Sequence, residues 1–283
     1  MHESSIKSPI TELETLARSA GTAIMEIYTD FVARGSTTGN PPSVSDKPDG
    51  SPLTQADLAA HKIIVAGLAK LSDGNLAALP VLSEESDSVS WAERLTWQRY
   101  WLVDPLDGTK EFLNSNGEFT VNIALIAQGK PVLGIVYAPA LDSLYVGVNG
   151  FGGEVVAYKM SDDRFNLSND RFAILNLREQ PGPAAGEPVR IVVSRSHRGD
   201  EALSHFFAQP HVLVPMGSSL KLCAIADGSA DIYPRLGPTS EWDIAAGHAV
   251  VEAAGGSVKT VDGEELRYNQ KESLVNPWFV VTR

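Results

Sequence analysis

Apolar residues at Leu13, Leu16, Ala20, Ile24, Ile27 and Phe31 in TELETLARSAGTAIMEIYTDF recur three or four positions apart, the spacing of one helical face. The next segment, GSTTGNPPSVSDKPDG, loses that period, and its Gly, Pro and Ser content predicts an exposed, mobile loop. SPLTQADLAAHKIIVAGLAKL then predicts a turn and a helix capped by Thr54, because Thr-x-x-Asp at 54–57 can satisfy the free N–H groups of a first helical turn. The runs ALPVLSEE, RYWLVD, FTVNIALIAQ, KPVLGIVYAPA and SLYVGVNG are short, apolar and punctuated by Gly, Pro and Asn. They predict hairpin strands of a central, largely antiparallel sheet. Beyond the Pro/Gly-rich LREQPGPAAGEPV, PVRIVVSRS predicts a strand, SSLKLCAIADG a helix closed by Gly228, and EWDIAAGHAVVEAAGG a helix closed by Gly255 and Gly256. Strands and helices mixed through two halves, without an internal repeat, predict a layered α/β (α+β) architecture.

Composition narrows the function. A chain of 283 residues with 43% apolar and 20% charged content makes one large or two modest domains with a sizeable core. No run approaches the length of a membrane span, and MHESSIKSP lacks the basic-then-apolar plan of a signal peptide, so a cytoplasmic protein is expected. The formal charge of −12 argues against a nucleic-acid or anionic-membrane surface, since both need clustered Lys and Arg. An acidic chain still binds phosphate where metal ions invert the local field. The single cysteine, Cys223, lies in an apolar helical pattern and reads as buried filler.

The acids fall where strands and turns end: Glu84 in VLSEES, Asp104 and Asp107 in VDPLDGT, Asp243 in EWDIAAG, with Asp57 in LTQAD as a fifth. Pro105 is expected to stop the strand after Asp104, and Gly108 to permit a turn that brings Asp107 back beside it. Two carboxylates and a loop carbonyl around one point suit a hard divalent cation, and a pair of such ions can activate water in phosphoryl transfer. Gly108 and Thr109 then offer N–H groups to a phosphate, and the Thr109 hydroxyl can orient the attacking water. Each acid also has a plain structural reading: Asp107-Gly108 as an ordinary turn, Asp57 as a helix cap, Asp243 as a first-turn acid near a helix dipole, Glu84 as one of a solvated pair. A phosphatase with an aspartyl nucleophile needs its two aspartates two apart rather than three. A glycosidase wants aromatic platforms that a chain of 7% aromatic residues supplies poorly.

Taken together, LTQAD, LSEES, WLVDPLDGTKEF, FTVNIALI, GIVYAP, GSSLKLCAIADG and EWDIAAGHAVVEAAGG resemble the inositol monophosphatase-like, metal-dependent, lithium-sensitive phosphatases. The similarity runs from about residue 10 to the C-terminus. It implies the αβαβα sandwich of the sugar phosphatases, with an N-terminal lobe (1–182) carrying most metal ligands and a C-terminal lobe (183–283) carrying the nucleotide pocket and the last ligand. It implies that Glu84, Asp104, the Leu106 carbonyl, Asp107 and Asp243 ligate two or more Mg²⁺ ions, with Asp104 bridging, Glu84 and Leu106 on one ion and Asp107 and Asp243 on the other. Thr109, held by Asp57, would position the nucleophilic water, with Glu84 beside it among the catalytic acids, and Gly108 and Thr109 would touch the phosphate.

Lys110-Glu111-Phe112 after the Asp-Gly-Thr favours the nucleotidase branch of that family. Gly217 and Ser218, with Ser219, open a helix whose first turn holds Lys221, which suits an anionic group, although simple Ser capping explains the same residues. The resemblance adds Ser194, His197 and Arg235 to the nucleotide pocket, and His197 reads equally well as an exposed loop residue. The expected reaction is hydrolysis of the 3′-phosphate of adenosine 3′,5′-bisphosphate to AMP, with 3′-phosphoadenylyl sulfate as a further substrate, which clears a by-product of sulfate activation. An inositol or fructose bisphosphate phosphatase with the same metal centre is the first alternative, and a non-catalytic nucleotide sensor the second. No nucleic-acid partner and no integral membrane segment are expected. The resemblance leaves open a peripheral place at the inner membrane and whether the chain is a monomer or a homodimer.

Overall fold

The computed structural model describes residues 3–33, 45–46, 52–53, 55–161, 172–184, 186–195 and 210–283. The helices are α1 (Glu3–Ala33), α2 (Gln55–Leu68), α3 (Gly74–Ala77), α4 (Trp91–Arg94), α5 (Thr109–Leu113), α6 (Leu220–Ala226) and α7 (Glu241–Ala254). Most of the expected mobile loop lies outside the described residues, as does Thr54. Within that stretch β1 (Ser45–Asp46) pairs antiparallel with β2 (Pro52–Leu53), a backbone ribbon that composition does not reveal.

A seven-stranded sheet runs in chain order, β3 (Val81–Ser83), β4 (Arg99–Asp107), β5 (Thr120–Ala127), β6 (Lys130–Ala138), β7 (Ser143–Asn149), β8 (Val155–Ser161) and β9 (Phe172–Ile174). Only β3 and β4 are parallel, so the antiparallel expectation holds for this sheet. The second half forms a five-stranded mixed sheet ordered β11 (His211–Met216), β10 (Val189–Ser194), β12 (Ile232–Arg235), β14 (Phe279–Thr282) and β13 (Ser257–Thr260). Here β10 runs parallel to both β11 and β12, and β14 antiparallel to β12 and β13.

The central strands are apolar at nearly every position because both sheet faces are covered. Trp101 and Val103 of β4 join Leu13, Ala17, Ile24 and Ile64 of α1 and α2 in one core. Tyr100 and Leu102, pointing the other way, join Leu222, Ile244 and Val250 of α6 and α7 in a second core that extends to Tyr233 and Phe279 of the five-stranded sheet. Among the described residues the layers are thus a helix pair, a sheet, a helix pair and a sheet, which are four of the five expected. The β10–β11 connection at 196–209 lies outside the described residues. Among those described, no helix is long and apolar enough to cross a membrane. Cys223 is buried in α6, as expected, and burial pushes its thiol pKa up.

Helix α7 comes from the second half yet lies directly on the first sheet. Two glycines permit this: a Cβ on Gly134 of β6 would stand 2.2 Å from the Ala246 carbonyl oxygen, and one on Gly147 of β7 2.4 Å from Val250 Cα. Because these neighbours are backbone, no rotamer change relieves the clash. Gly147→Ala is expected to lift α7 off the sheet and destabilise the fold by about 1–3 kcal/mol, the usual cost of overpacking, read as a lowered Tm. An unchanged Tm would mean that α7 is seated by its other contacts alone.

Candidate active site

Strand β4 delivers the two aspartates. Asp104 pairs with Asn122 and Asp107 with Thr120 of β5, so three steps on β4 oppose two on its neighbour, which is a β-bulge. Pro105 sits inside the bulge, where its missing N–H costs the ladder nothing. The strand therefore continues to Asp107 instead of stopping at Asp104 as the sequence suggested. The Leu106 N–H donates to Asp104 Oδ1 at 3.1 Å, which folds the bulge back on its own carboxylate. Gly108 follows at φ +92°, and a Cβ there would lie 3.2 Å from both the Glu118 carbonyl oxygen and Ser218 Cβ, so both conformation and space call for glycine. Below the turn, Phe112 of α5 packs on Tyr28, Phe31 and Phe119, with ring centroids 5.1, 5.9 and 5.3 Å apart. That cluster anchors a five-residue helix whose first residue is Thr109.

The other acids arrive from separate elements. The Glu84 N–H donates to the Val103 carbonyl at 3.1 Å, extending the β3–β4 pairing so that Glu84 emerges beside Asp104. Asp57 lies buried in the first turn of α2. One turn on, His61 Nδ1 meets Ser83 Oγ at 2.9 Å, tying that helix to the end of β3. Asp243 stands in the first turn of α7, where its Oδ2 accepts from the Ser240 N–H at 2.8 Å and from the Thr239 hydroxyl. Asp243 is thus the first-turn acid weighed from sequence, and the same carboxylate lines the site.

Eleven of the expected residues line one cavity of about 360 Å³: Glu84, Asp104, Leu106, Asp107, Gly108 and Thr109 with Asp243, and Ser194, Ser218, Lys221 and Arg235 from the second half. Asp57 stands behind that lining, close enough to Asp104 to act on its charge. Gly217 does not line it either; its N–H donates to Glu118 Oε2 at 2.8 Å. His197 lies outside the described residues. Simple Ser capping of α6 is not what is seen: Ser219 holds helical angles and makes no side-chain cap. Instead its Oγ lies 3.2 Å from Asp107 Oδ2 and against the Asp243 carbonyl, and receives the Asn122 Nδ2–H at 2.9 Å.

The sequence points to neither Asn122 nor Tyr233 as a site residue; the Tyr233 ring lies 5.8 Å from Lys221 Nζ. Asn122 did leave a signal, a lone amide within the apolar VNIALI, which a buried strand keeps only where the amide finds partners.

Burial raises the Asp104 pKa well above the usual carboxylate range, and the charges of Glu84, Asp107, Asp243 and Asp57 push it further. Asp107 is pushed up to about 7 by burial and then by Asp243, against the pull of Lys221. Burial likewise raises Asp243, opposed by its bonds to Thr239 and Ser240. Within reach of Asp107, burial lowers the Lys221 pKa against the pull of that carboxylate, and its ammonium donates to the Ser218 carbonyl. In this conformation no three Asp, Glu, His or Cys side chains among the described residues close on a single point. The donors are all hard oxygens that repel one another, which is the chemistry a divalent cation such as Mg²⁺ requires. The residues present fit such an ion.

A sequence profile of the inositol monophosphatase family matches residues 6–281. The 3′(2′),5′-bisphosphate nucleotidase CysQ of Salmonella typhimurium is 47% identical over 269 residues, covering 94% of this chain and 96% of its own. The protein of the same name from Escherichia coli K12 is 45% identical over 269 residues, with the same coverage of 94% and 96%. Among solved structures, CysQ from Bacteroides thetaiotaomicron, a bacterial member of the inositol monophosphatase family, superposes with a TM-score of 0.75 at 39% identity, covering 98% of each chain. The extragenic suppressor protein suhB from Bartonella henselae superposes with a TM-score of 0.71 at 26% identity, covering 97% of this chain and 93% of that one.

Proposed function

This chain belongs to the inositol monophosphatase family, and from that premise we propose that it is a metal-dependent phosphatase that converts adenosine 3′,5′-bisphosphate to AMP and inorganic phosphate in the cytoplasm. The observation that carries this reading is a single cavity lined both by the acids Glu84, Asp104, Asp107 and Asp243 and by the cations Lys221 and Arg235. A bisphosphate presents two anionic groups to match: one to be cut where cations gather, one to be held by side chains. The nucleotidase name shared by relatives at 45–47% identity supports the nucleoside between them.

Glu84, Asp104, the Leu106 carbonyl, Asp107 and Asp243 hold two Mg²⁺ ions in this reading. Bound there, the ions supply the positive charge that makes water nucleophilic at neutral pH and stabilises the departing oxygen. The Thr109 hydroxyl orients the attacking water, and Asp57 takes up its proton through that hydroxyl. The water oxygen bonds to phosphorus, the bond from phosphorus to the ribose O3′ breaks, and O3′ leaves as an alcohol after gaining a proton. The backbone at Gly108 and Thr109 keeps the scissile phosphate in line, while Lys221 and Arg235, with Ser194 and Ser218 beside them, retain the 5′-phosphate end.

Phosphate release from adenosine 3′,5′-bisphosphate, 3′-phosphoadenylyl sulfate, inositol monophosphate and fructose 1,6-bisphosphate tests the reading. The adenosine esters are expected to exceed the sugar esters in kcat/KM by about two orders of magnitude, because Lys221 and Arg235 find no second phosphate on inositol monophosphate and neither sugar carries a base. Preference for a sugar phosphate would transfer the site to the family's other activity. Binding of the nucleotide without release of phosphate would make the protein a sensor.

A further inference from the structure

The wall that carries Ser218 and Lys221 belongs to the second half of the chain, while Asp107, Gly108 and Thr109 belong to the first. Ser219, through Asp107 and Asn122, ties these two walls together inside the site. Glu118 does so from just ahead of β5. Its Oε2 accepts from Arg195 Nε at 2.7 Å and from the Gly217 N–H at 2.8 Å, and its Oε1 accepts from Arg195 Nη2 at 2.6 Å. Arg195 directly follows β10 and also donates to the Pro215 carbonyl at 2.9 Å, so one carboxylate gathers the ends of two adjacent strands, β10 and β11. These are the strand ends that lead to the cavity residues Ser194 and Ser218.

The packing leaves this clasp no slack. A Cβ on Gly217 would meet Glu111 Cγ at 2.5 Å and the Glu118 carbonyl oxygen at 2.8 Å, and one on Gly108 would meet that same carbonyl at 3.2 Å. The Glu118 backbone thus touches the catalytic turn while its side chain grips the opposite wall. An isolated ion pair this exposed adds little stability, with Arg195 at 42% and Glu118 at 18% exposure. A bidentate pair that also captures a backbone N–H is geometrically specific, and its value lies in fixing position.

We propose that Glu118 is a positioning residue for substrate specificity, clamping the nucleotide-holding wall of the cavity against the phosphate-cutting wall through Arg195 and Gly217. The inference rests on the bisphosphate reading above and adds to it a residue outside the cavity lining. With the clamp open, the scissile phosphate still finds Asp107, Gly108 and Thr109, while the far phosphate loses the fixed distance to Lys221 and Arg235.

Steady-state kinetics of Glu118→Gln, Arg195→Gln and the double variant, with inorganic phosphate as a competitive inhibitor, test the clamp. Each single variant is expected to raise KM for adenosine 3′,5′-bisphosphate about tenfold, the effect of one charge-assisted hydrogen bond, and to hold kcat within about threefold. The double variant should be no worse than either single one, since the two residues act as one unit. The inhibition constant for phosphate, which fills only the scissile position, should stay within about threefold of wild type. Additive losses, an equal fall in phosphate affinity, or unchanged KM values would overturn the proposal. So would a KM raised by Arg195→Gln but lowered by Glu118→Gln, because Arg195 would then be binding the nucleotide directly. Wild-type turnover of the bisphosphate is the control: if it is absent, the reading of the substrate has failed rather than the clamp.

Discussion

Exhaustive chelation of divalent cations is expected to abolish phosphate release, and Mg²⁺ to restore it. Glu84, Asp104, Asp107 and Asp243 line the same cavity, and burial together with their mutual repulsion raises the Asp104 pKa well above its ordinary range. Such a surface repels a phosphate dianion, and Lys221 is the cation that offsets Asp107. Attraction returns only when bound cations reverse the sign of the field. Ca²⁺ should substitute poorly, since it takes longer bonds and more ligands than a site of a few carboxylates and one carbonyl provides. Binding should also stabilise the fold, because a ligand that relieves repulsion in the native state shifts the unfolding equilibrium by mass action. The measurements are phosphate release and Tm with chelator, with Mg²⁺ and with Ca²⁺. Full activity after chelation would remove cations from the mechanism and leave the acids without a catalytic role.

The acids of this site were legible because they lie in short strings. VDPLDGT brings three of the proposed ligating groups together by local geometry, and VLSEES adds a fourth through the parallel pairing of β3 with β4. The strands from Val81 to Asn149 were equally plain, being apolar runs between turn residues. The path of β4 was misread because Pro105 ends a strand only where its N–H is needed, and a bulge removes that need.

What no string could carry was the meeting of distant segments. Gly134 and Gly147 look like ordinary strand glycines until Ala246 and Val250 are set against them, and only then is it clear how Asp243 comes to face Asp107. Ser219 read either as part of an anion-suited helix start or as a helix cap, the role a serine before a helix usually takes. The competing partners, Asp107 and the Asp243 carbonyl, lie 112 and 24 residues away. Glu118 had no signal at all, since Arg195 and Gly217 reach it only through the packing of the two halves.

Thr109→Ser is expected to keep much of the wild-type activity, whereas Thr109→Ala should lose about 10²–10⁴-fold in kcat, the usual contribution of a positioned proton-transfer group. The reasoning begins with where Thr109 sits. It opens α5 on the cavity wall, and the Phe112 cluster rather than its own methyl holds that helix in place. Removing the methyl therefore leaves the hydroxyl where it was, and removing the oxygen leaves the helix where it was. Asp57→Asn should match Thr109→Ala, because an amide keeps the shape of the buried carboxylate but is a poor proton acceptor. Asp57 also helps raise the Asp104 pKa, so its neutralisation eases the charge of the site, and a loss of activity cannot then come from added repulsion. The double variant Asp57→Asn with Thr109→Ala should be little worse than either alone, as expected when two residues serve one proton. Single-turnover rates with Tm as a control check these variants together with Asp57→Ala. Were Asp57→Asn to remain active while Asp57→Ala lost only stability, Asp57 would be a helix-start residue, and the attacking water would have to give its proton to another base.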